Sequence, residues 1–148
     1  MSVHEGRPAP AGLAESLGSP LRALATLGAV ATGFVALWLF FVVVAVLPVR
    51  DPRHVPMWAG IATAFLGYAV LTLVFVARRA RPAWLVAIVC LGSVAAIAFG
   101  GHEIDTVIKD VRAGVAFEGY LLLMGAVLVA HGACTLAYTA VTRAVRPS

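Results

Sequence analysis

The sequence has little charge and little cysteine. Only 12% of its 148 residues are charged, whereas 61% are hydrophobic, and soluble domains usually carry about twice that share of charge. This composition excludes an ordinary soluble globule and a disordered chain. Two cysteines are too few for a disulfide scaffold, and the 14 glycines follow no three-residue period that would indicate a collagen-like fibre.

The sequence contains instead four long windows without a charged residue. They lie between Arg22 and Arg50, between Arg53 and Arg78, between Arg81 and Glu103, and between Glu118 and Arg143. Each is long enough for a spanning helix, which needs about 20 residues, and none alternates as a barrel strand would. The sequence therefore predicts an all-α integral membrane protein with four transmembrane helices in a bundle, over approximately residues 23–47, 57–77, 83–99 and 115–141.

The basic residues predict the orientation of these helices. An even number of crossings puts both termini on one side, and the terminal segments with the turn at residues 78–81 hold seven of the 11 Lys and Arg. By the positive-inside rule, both termini are cytoplasmic and the chain is a multi-pass protein of the cell membrane. Residues 1–20, which contain three prolines and three glycines, are expected to form a flexible cytoplasmic tail.

The second outer loop has a helical pattern. Apolar residues recur at Ile104, Val107, Ile108 and Val111, while charged residues fall between them, and Gly114 ends the run. This spacing predicts a short amphipathic helix that covers the outer face of the bundle. The alternative is a loop in which the spacing arose by chance.

The two halves of the chain resemble each other. Residues 21–31 and 85–95 share six identities in eleven when the sequence is shifted by 64 residues, and a shift of 65 aligns Gly60 with Gly125 and Gly67 with Gly132. The match predicts a tandem repeat of two helical hairpins, 21–82 and 85–147, related by an axis along the membrane normal. Chance matches in a biased composition are the alternative.

Small residues are available for helix packing in all four segments. Because lipid tails are as apolar as leucine, helices in a membrane associate where small residues let their backbones approach. The glycines predicted to serve this purpose are Gly33, Gly60, Gly67, Gly92, Gly125 and Gly132.

His131 is the conspicuous polar residue of the predicted membrane interior. Counting from the cytoplasmic ends of the helices puts it level with Gly33, Gly67 and Ser93. In one interpretation, it fills the space left by the glycines and hydrogen-bonds Ser93 or a carbonyl, which fixes the register of the bundle. In the other, it belongs to a substrate or proton path with Ser93 and Glu118, since ionisable residues inside a membrane are candidates for function.

Metal or redox chemistry is a weaker hypothesis. His131, Cys134 and Cys90 are residue types that bind copper or zinc, but a fourth ligand and a C-x-x-C pair are missing. The cysteines can equally be small core residues. Because the sequence has no G-x-S-x-G, H-E-x-x-H or phosphate-binding glycine loop, it predicts no cofactor and favours a protein that is not an enzyme.

Two functions from different classes follow from these observations. The first is a small polytopic protein that acts through helix packing and protein contacts, as an accessory or assembly subunit or as a homo-oligomer. The alternative is a small oligomeric transporter or channel whose polar path includes His131, Ser93 and Glu118. The expected partners are the lipid bilayer and a membrane protein or a second copy of the chain, and nothing in the sequence indicates nucleic-acid binding.

Overall fold

A computed structural model of the chain describes residues 11–50, 52–78, 80–116 and 119–144. The described part is helical and contains no strand. The helices, in chain order, are α1 (Ala11–Ala45), the single-turn α2 (Leu47–Arg50), α3 (Val55–Ala77), α4 (Ala83–Arg112) and α5 (Gly119–Ala144). A 3₁₀ turn at Pro52–His54 leads into α3.

Four of these helices are long and apolar enough to cross a membrane. The candidate spans are Leu17–Ala45, Pro52–Ala77, Ala83–Arg112 and Gly119–Arg143. Each overlaps one of the four windows that the charge distribution predicts. Within the most apolar part of each span, between 28% and 39% of the residues are buried by the rest of the chain, so most of each helix surface faces outward. These features suggest a multi-pass membrane protein.

The helices extend further than the charge-free windows. α1 begins at Ala11 rather than near residue 23 and passes through Pro20, so the second half of the expected flexible tail is helical, while residues 1–10 lie outside the described residues. The amphipathic segment after residue 101 is also helical, but it continues α4 instead of forming a separate helix. A separate helix was the wrong expectation because charged residues end a membrane span without ending a helix.

Gly114 ends α4. Its φ angle is +70°, a left-handed conformation that glycine adopts without the steric penalty of a Cβ atom. The amide of Val115 then donates to the carbonyl of Asp110 over 2.9 Å. At the start of α4, Pro82 adopts an extended conformation, which separates α4 from α3.

Helix pairing follows the order of the chain. α1 packs extensively on α3, and these two helices form the first hairpin. α4 packs extensively on α5, and these two form the second hairpin. The hairpins join mainly through α1 and α5, whereas α3 and α4 make far fewer contacts. The two seams between the hairpins, α1 with α5 and α3 with α4, are therefore unequal.

Two apolar clusters fill the interior. The outer cluster, toward the α1–α3 loop, contains Ala36, Leu39, Ala62, Phe65, Tyr68, Ala96, Met124 and Leu128. The inner cluster, toward the α3–α4 turn, contains Ala25, Phe75, Val76, Leu85, Val86, Val89 and Tyr138. Every one of these residues is at most 8% exposed, so each end of the helix packing is closed by apolar side chains.

Candidate functional site

A set of buried polar side chains, which includes Tyr68 of the outer cluster, lies where the two apolar clusters meet, and we refer to it as the polar layer. All four long helices contribute to it. Its members are Thr32 of α1, Tyr68 and Thr72 of α3, Ser93 of α4, and His131 and Thr135 of α5. Five of the six are at most 1% exposed, and Tyr68 is 7% exposed.

The order of residues along each helix places the layer between the clusters. On α4, for example, Ser93 lies between Val89 of the inner cluster and Ala96 of the outer cluster. The same order holds for Thr32 on α1 and for His131 on α5. The polar layer is therefore sealed from both ends of the molecule by apolar packing, as an occluded site or a structural polar network would be.

His131 joins α5 to α1 and α3. Its Nδ1 atom lies 2.8 Å from the hydroxyl oxygen of Thr32, and its ring packs on that of Tyr68 with centroids 4.5 Å apart. The expected partner, Ser93, is bonded elsewhere. His131 also lies level with Gly28, where an added Cβ atom would be 3.0 Å from the His131 Cα atom, rather than with Gly33.

Tyr68 joins α3 to α4. Its hydroxyl lies 2.8 Å from the hydroxyl oxygen of Ser93, and Ser93 donates its own proton to the carbonyl of Val89. Because a serine hydroxyl has a single proton, Tyr68 must donate to Ser93. Gly92 makes room for the tyrosine, since a Cβ atom there would be 2.6 Å from the Tyr68 ring.

Three polar atoms of the layer are buried without a hydrogen-bond partner among the described residues. They are Nε2 of His131 and the hydroxyl oxygens of Thr72 and Thr135. Buried polar groups are normally paired with protein or with ordered water, so these atoms are the chemically unsatisfied part of the site.

The structure brings together only part of the predicted polar path. His131 and Ser93 both belong to the polar layer, joined through Tyr68. Glu118 lies outside the described residues. Sequence reasoning missed Thr32, Tyr68 and Thr72. The signal in the sequence that could have found them is the spacing of polar residues. Thr72 follows Tyr68 by four residues, just as Thr135 follows His131, and residues four apart share one helix face.

The predicted metal ligands do not form a cluster. No group of three or more His, Cys, Asp and Glu side chains that could hold a metal ion occurs in the part of the chain that is described. Cys90 and Cys134 are free and partly buried, and Cys90 packs against the inner apolar cluster. The residues present thus give His131, Cys90 and Cys134 no common site.

The six predicted packing glycines fall into two groups. Within the chain, Gly92, Gly125 and Gly132 lie at close helix contacts, where a Cβ atom would come within 2.7 Å of a neighbouring helix. For Gly125 and Gly132, the nearest atom is a backbone carbonyl oxygen of α4. By contrast, Gly33, Gly60 and Gly67 have no neighbouring atom within 4 Å of an added Cβ, so they make no close helix contact with the described part of the chain.

A shallow apolar groove runs between α3 and α4, where the two helices make few contacts. Its volume is about 410 Å³, and it is lined by Ala64, Gly67, Tyr68, Leu71, Ile88, Leu91, Gly92 and Ala95. The groove is open to the outside of the molecule. Tyr68 is one of the residues that line the groove, and it belongs to the polar layer as well.

The chain matches no protein-family model, no curated protein and no solved structure. The argument for function therefore depends on the residues and geometry of this molecule. Those features define a class: an all-helical chain with four helices long and apolar enough to cross a membrane, and a polar layer in its interior.

Proposed function

We propose that the chain is a small polytopic membrane protein whose four long helices cross the bilayer as a bundle, with both termini in the cytoplasm. The lengths and hydropathy of the helices support insertion, and the excess of Lys and Arg near the termini supports the orientation. Reporter enzymes fused after Ser148 and inserted beside Gly114 test the topology. We expect opposite sides of the membrane; the same side for both would contradict the proposal.

We propose further that the protein acts mainly through contacts with a membrane-protein partner or with a second copy of itself. The observation that carries this proposal is the outward face of α3, where Gly60, Ala64 and Gly67 are exposed and both glycines have open space around them. Small residues at this spacing let another helix approach closely. Among the described residues, no atom lies within 4 Å of a Cβ atom added at Gly60 or Gly67, so this face is available for association.

Variants of the outward glycines test this function. Gly60→Leu and Gly67→Leu fill the small-residue face at positions where an added Cβ atom meets nothing within 4 Å. We expect both variants to fold normally and to lose the partner or second copy that native mass spectrometry detects in mild detergent. Val70→Leu enlarges another exposed side chain of the same helix and is the control. An unchanged assembly in both glycine variants, or a wild type that is a lone monomer, would contradict the proposal.

A transport function is the second candidate, and the three unpartnered polar atoms of the polar layer favour it. Intramembrane ionisable residues often mark substrate or proton pathways, and His131 is in direct contact with Thr32 and Tyr68 of the layer. The apolar clusters on both sides of the layer would have to open in turn. Proton or solute flux into vesicles, lost in His131→Leu and kept in Thr63→Val, would support this candidate over the first.

A further inference from the structure

A groove lies along one half of the seam between α1 and α5, toward the α1–α3 loop, and we refer to it as the outer groove. Its volume is about 340 Å³, and it is lined by Phe34, Val35, Trp38, Tyr120, Leu123 and Met124. Met124 is buried, whereas Phe34 and Leu123 are 69% and 67% exposed. The outer groove is therefore a concave apolar surface at the outside of the helix packing.

A smaller hollow, the aromatic pocket, adjoins the outer groove. Its volume is about 100 Å³, and it is lined by Trp38, Trp58 and Tyr120 together with aliphatic residues of α1 and α2. Trp38 and Tyr120 line both hollows, and their ring centroids are 4.7 Å apart. Tryptophan and tyrosine are typical of the level where a membrane meets water, because each combines an apolar ring with a polar atom.

The outer groove and the aromatic pocket are confined to one half of the helix lengths. On α1, they begin at Phe34 and continue toward the end of the candidate span Leu17–Ala45. On α5, they lie between Tyr120 and Met124, at the start of the span Gly119–Arg143. One lipid acyl chain reaches through one leaflet, about 15 Å or half of the hydrocarbon core. The depth of this surface therefore suits a lipid better than a helix that crosses the whole bilayer.

Positive charge lies near the aromatic end of this surface. Arg50 follows the pocket residue Leu47 by three positions, and Arg53 precedes Trp58 by five. Both arginines are exposed. Guanidinium groups bind phosphate through paired, charge-assisted hydrogen bonds. A phospholipid joins the two chemistries that the surface offers, an apolar chain for the groove and a phosphate for the arginines.

We propose that the outer groove and the aromatic pocket bind one phospholipid of the leaflet on the side of the α1–α3 loop. Its acyl chain lies in the outer groove, its glycerol esters contact the aromatic pocket, and Arg50 and Arg53 bind its phosphate. The groove is formed by α1 and α5, so its occupant leaves the glycine face of α3 open for association. This inference rests on the proposed bilayer insertion.

The first test measures lipid binding by the full chain. The protein is purified in a mild detergent, freed of lipid and titrated with dioleoylphosphatidylglycerol, and native mass spectrometry counts the bound lipids. We expect saturation at one lipid per chain. Dioleoylglycerol, which lacks the phosphate, and glycerol 3-phosphate, which lacks the acyl chains, should each bind roughly tenfold more weakly or less. A lipid count that rises without saturating, or equal binding of dioleoylglycerol, would overturn the proposal.

The phosphate contact is tested by removing the two positive charges. The double variant Arg50→Gln, Arg53→Gln should bind dioleoylphosphatidylglycerol roughly fivefold more weakly, since exposed charge pairs contribute modestly. The matched control is Arg78→Gln combined with Arg143→Gln, because both residues are exposed and lie at the opposite ends of α3 and α5. An equal loss in the control would show a general effect of net charge and refute the site.

The acyl-chain contact is tested by removing exposed apolar side chains of the groove. Phe34→Ala and Leu123→Ala should each weaken binding roughly fivefold through lost apolar contact. Both side chains are largely exposed, so we expect the variants to fold. Leu27→Ala, which removes a side chain that is 66% exposed elsewhere on α1, is the control. The same affinity in all three variants would place the lipid outside the groove.

Tryptophan fluorescence locates the bound lipid. In Trp84→Phe, the remaining tryptophans are Trp38 and Trp58, and both line the aromatic pocket. A phospholipid with brominated acyl chains, which quench tryptophan on contact, should quench this variant until one lipid per chain is bound. Bound lipid without quenching would refute the location. Topology mapping tests insertion separately, so a chain that inserts but retains no lipid overturns this inference alone.

Discussion

At the residue scale, Gly28 sets the distance between α1 and α5. A Cβ atom at this position would lie 3.0 Å from the Cα atom of His131 and 3.1 Å from its ring. The obstacle is partly backbone, so it cannot be relieved by a rotation of the imidazole alone. The glycine thereby allows the hydrogen bond between His131 and Thr32, which needs α1 and α5 close together.

We therefore expect Gly28→Ala to destabilise the fold by about 1–3 kcal/mol, the usual effect of overpacking a close contact. The matched control is Gly33→Ala on the same helix, where an added Cβ atom meets nothing within 4 Å. That variant should be neutral or slightly stabilising, because alanine favours helix over glycine. Thermal unfolding in a mild detergent measures both. Equal effects of the two variants would show that the contact at His131 does not limit helix approach.

The sequence predicted part of the polar layer because a histidine stands out in a charge-free window. It could not predict that Thr32 rather than Ser93 is the partner of His131. That assignment requires the relative register of α1 and α5, which counting from the ends of the charge-free windows does not give; the count led to Gly33, whereas Gly28 lies beside the His131 Cα atom. Tyr68 was missed for a similar reason, since a tyrosine in a membrane segment is expected at an interface unless its neighbours are known.

At the scale of the helices, Arg81 connects the C-terminal end of α3 to α5. Its Nε atom donates to the carbonyl oxygen of Phe75 over 3.2 Å, and its terminal nitrogen donates to the hydroxyl of Tyr138. The guanidinium carbon also lies 4.6 Å from the centre of the Phe75 ring and 4.9 Å from that of Tyr138. A planar group with several donors suits this position, and an ammonium group does not.

Replacing Arg81 by lysine should therefore lower the free energy of unfolding by about 1–2 kcal/mol, through lost hydrogen bonds and cation–π contacts. The charge is retained, so the bias of basic residues that sets topology is unchanged. Arg78→Lys is the matched control because Arg78 is exposed in the same turn, and we expect little change there. Denaturation monitored for both variants gives the comparison, and a loss for Arg78→Lys as large as that for Arg81→Lys would remove the specific role of Arg81.

Charge-free windows predicted the existence of all four long helices because a charge is costly inside a bilayer. The same signal says little about where each helix ends. α4 continues to Arg112 because its charged residues outside the window still favour helix, and Lys109 pairs with Asp105 one turn earlier. In this extension Val107 is buried while Ile108 is exposed. Only one edge of the apolar stripe found in the sequence therefore packs against the rest of the chain.

At the scale of the whole molecule, the two hairpins are joined unequally. A two-fold axis relating them would make the α1–α5 seam equivalent to the α3–α4 seam. Instead, α1 and α5 pack extensively, while α3 and α4 make far fewer contacts and leave the apolar groove between them. The duplication stays a prediction from sequence. Sequence similarity alone could not reveal the inequality, because each seam has a close contact at the aligned glycine, Gly28 against His131 in one and Gly92 against Tyr68 in the other.

This inequality predicts where the molecule opens first. Few buried contacts imply a low free energy of local opening, so α3 and α4 should separate more readily than α1 and α5.

Spin labels at Ala64 and Ala95, which line the groove on opposite helices, should give a broad distribution of distances in lipid. Labels at Val30 and Ala130, exposed on α1 and α5, should give a narrow one. Both pairs are introduced as cysteines after Cys90 and Cys134 are replaced by alanine. Similar widths for the two pairs would mean that the groove is as rigid as the α1–α5 seam, and Tyr68 would then keep the polar layer closed to the bilayer.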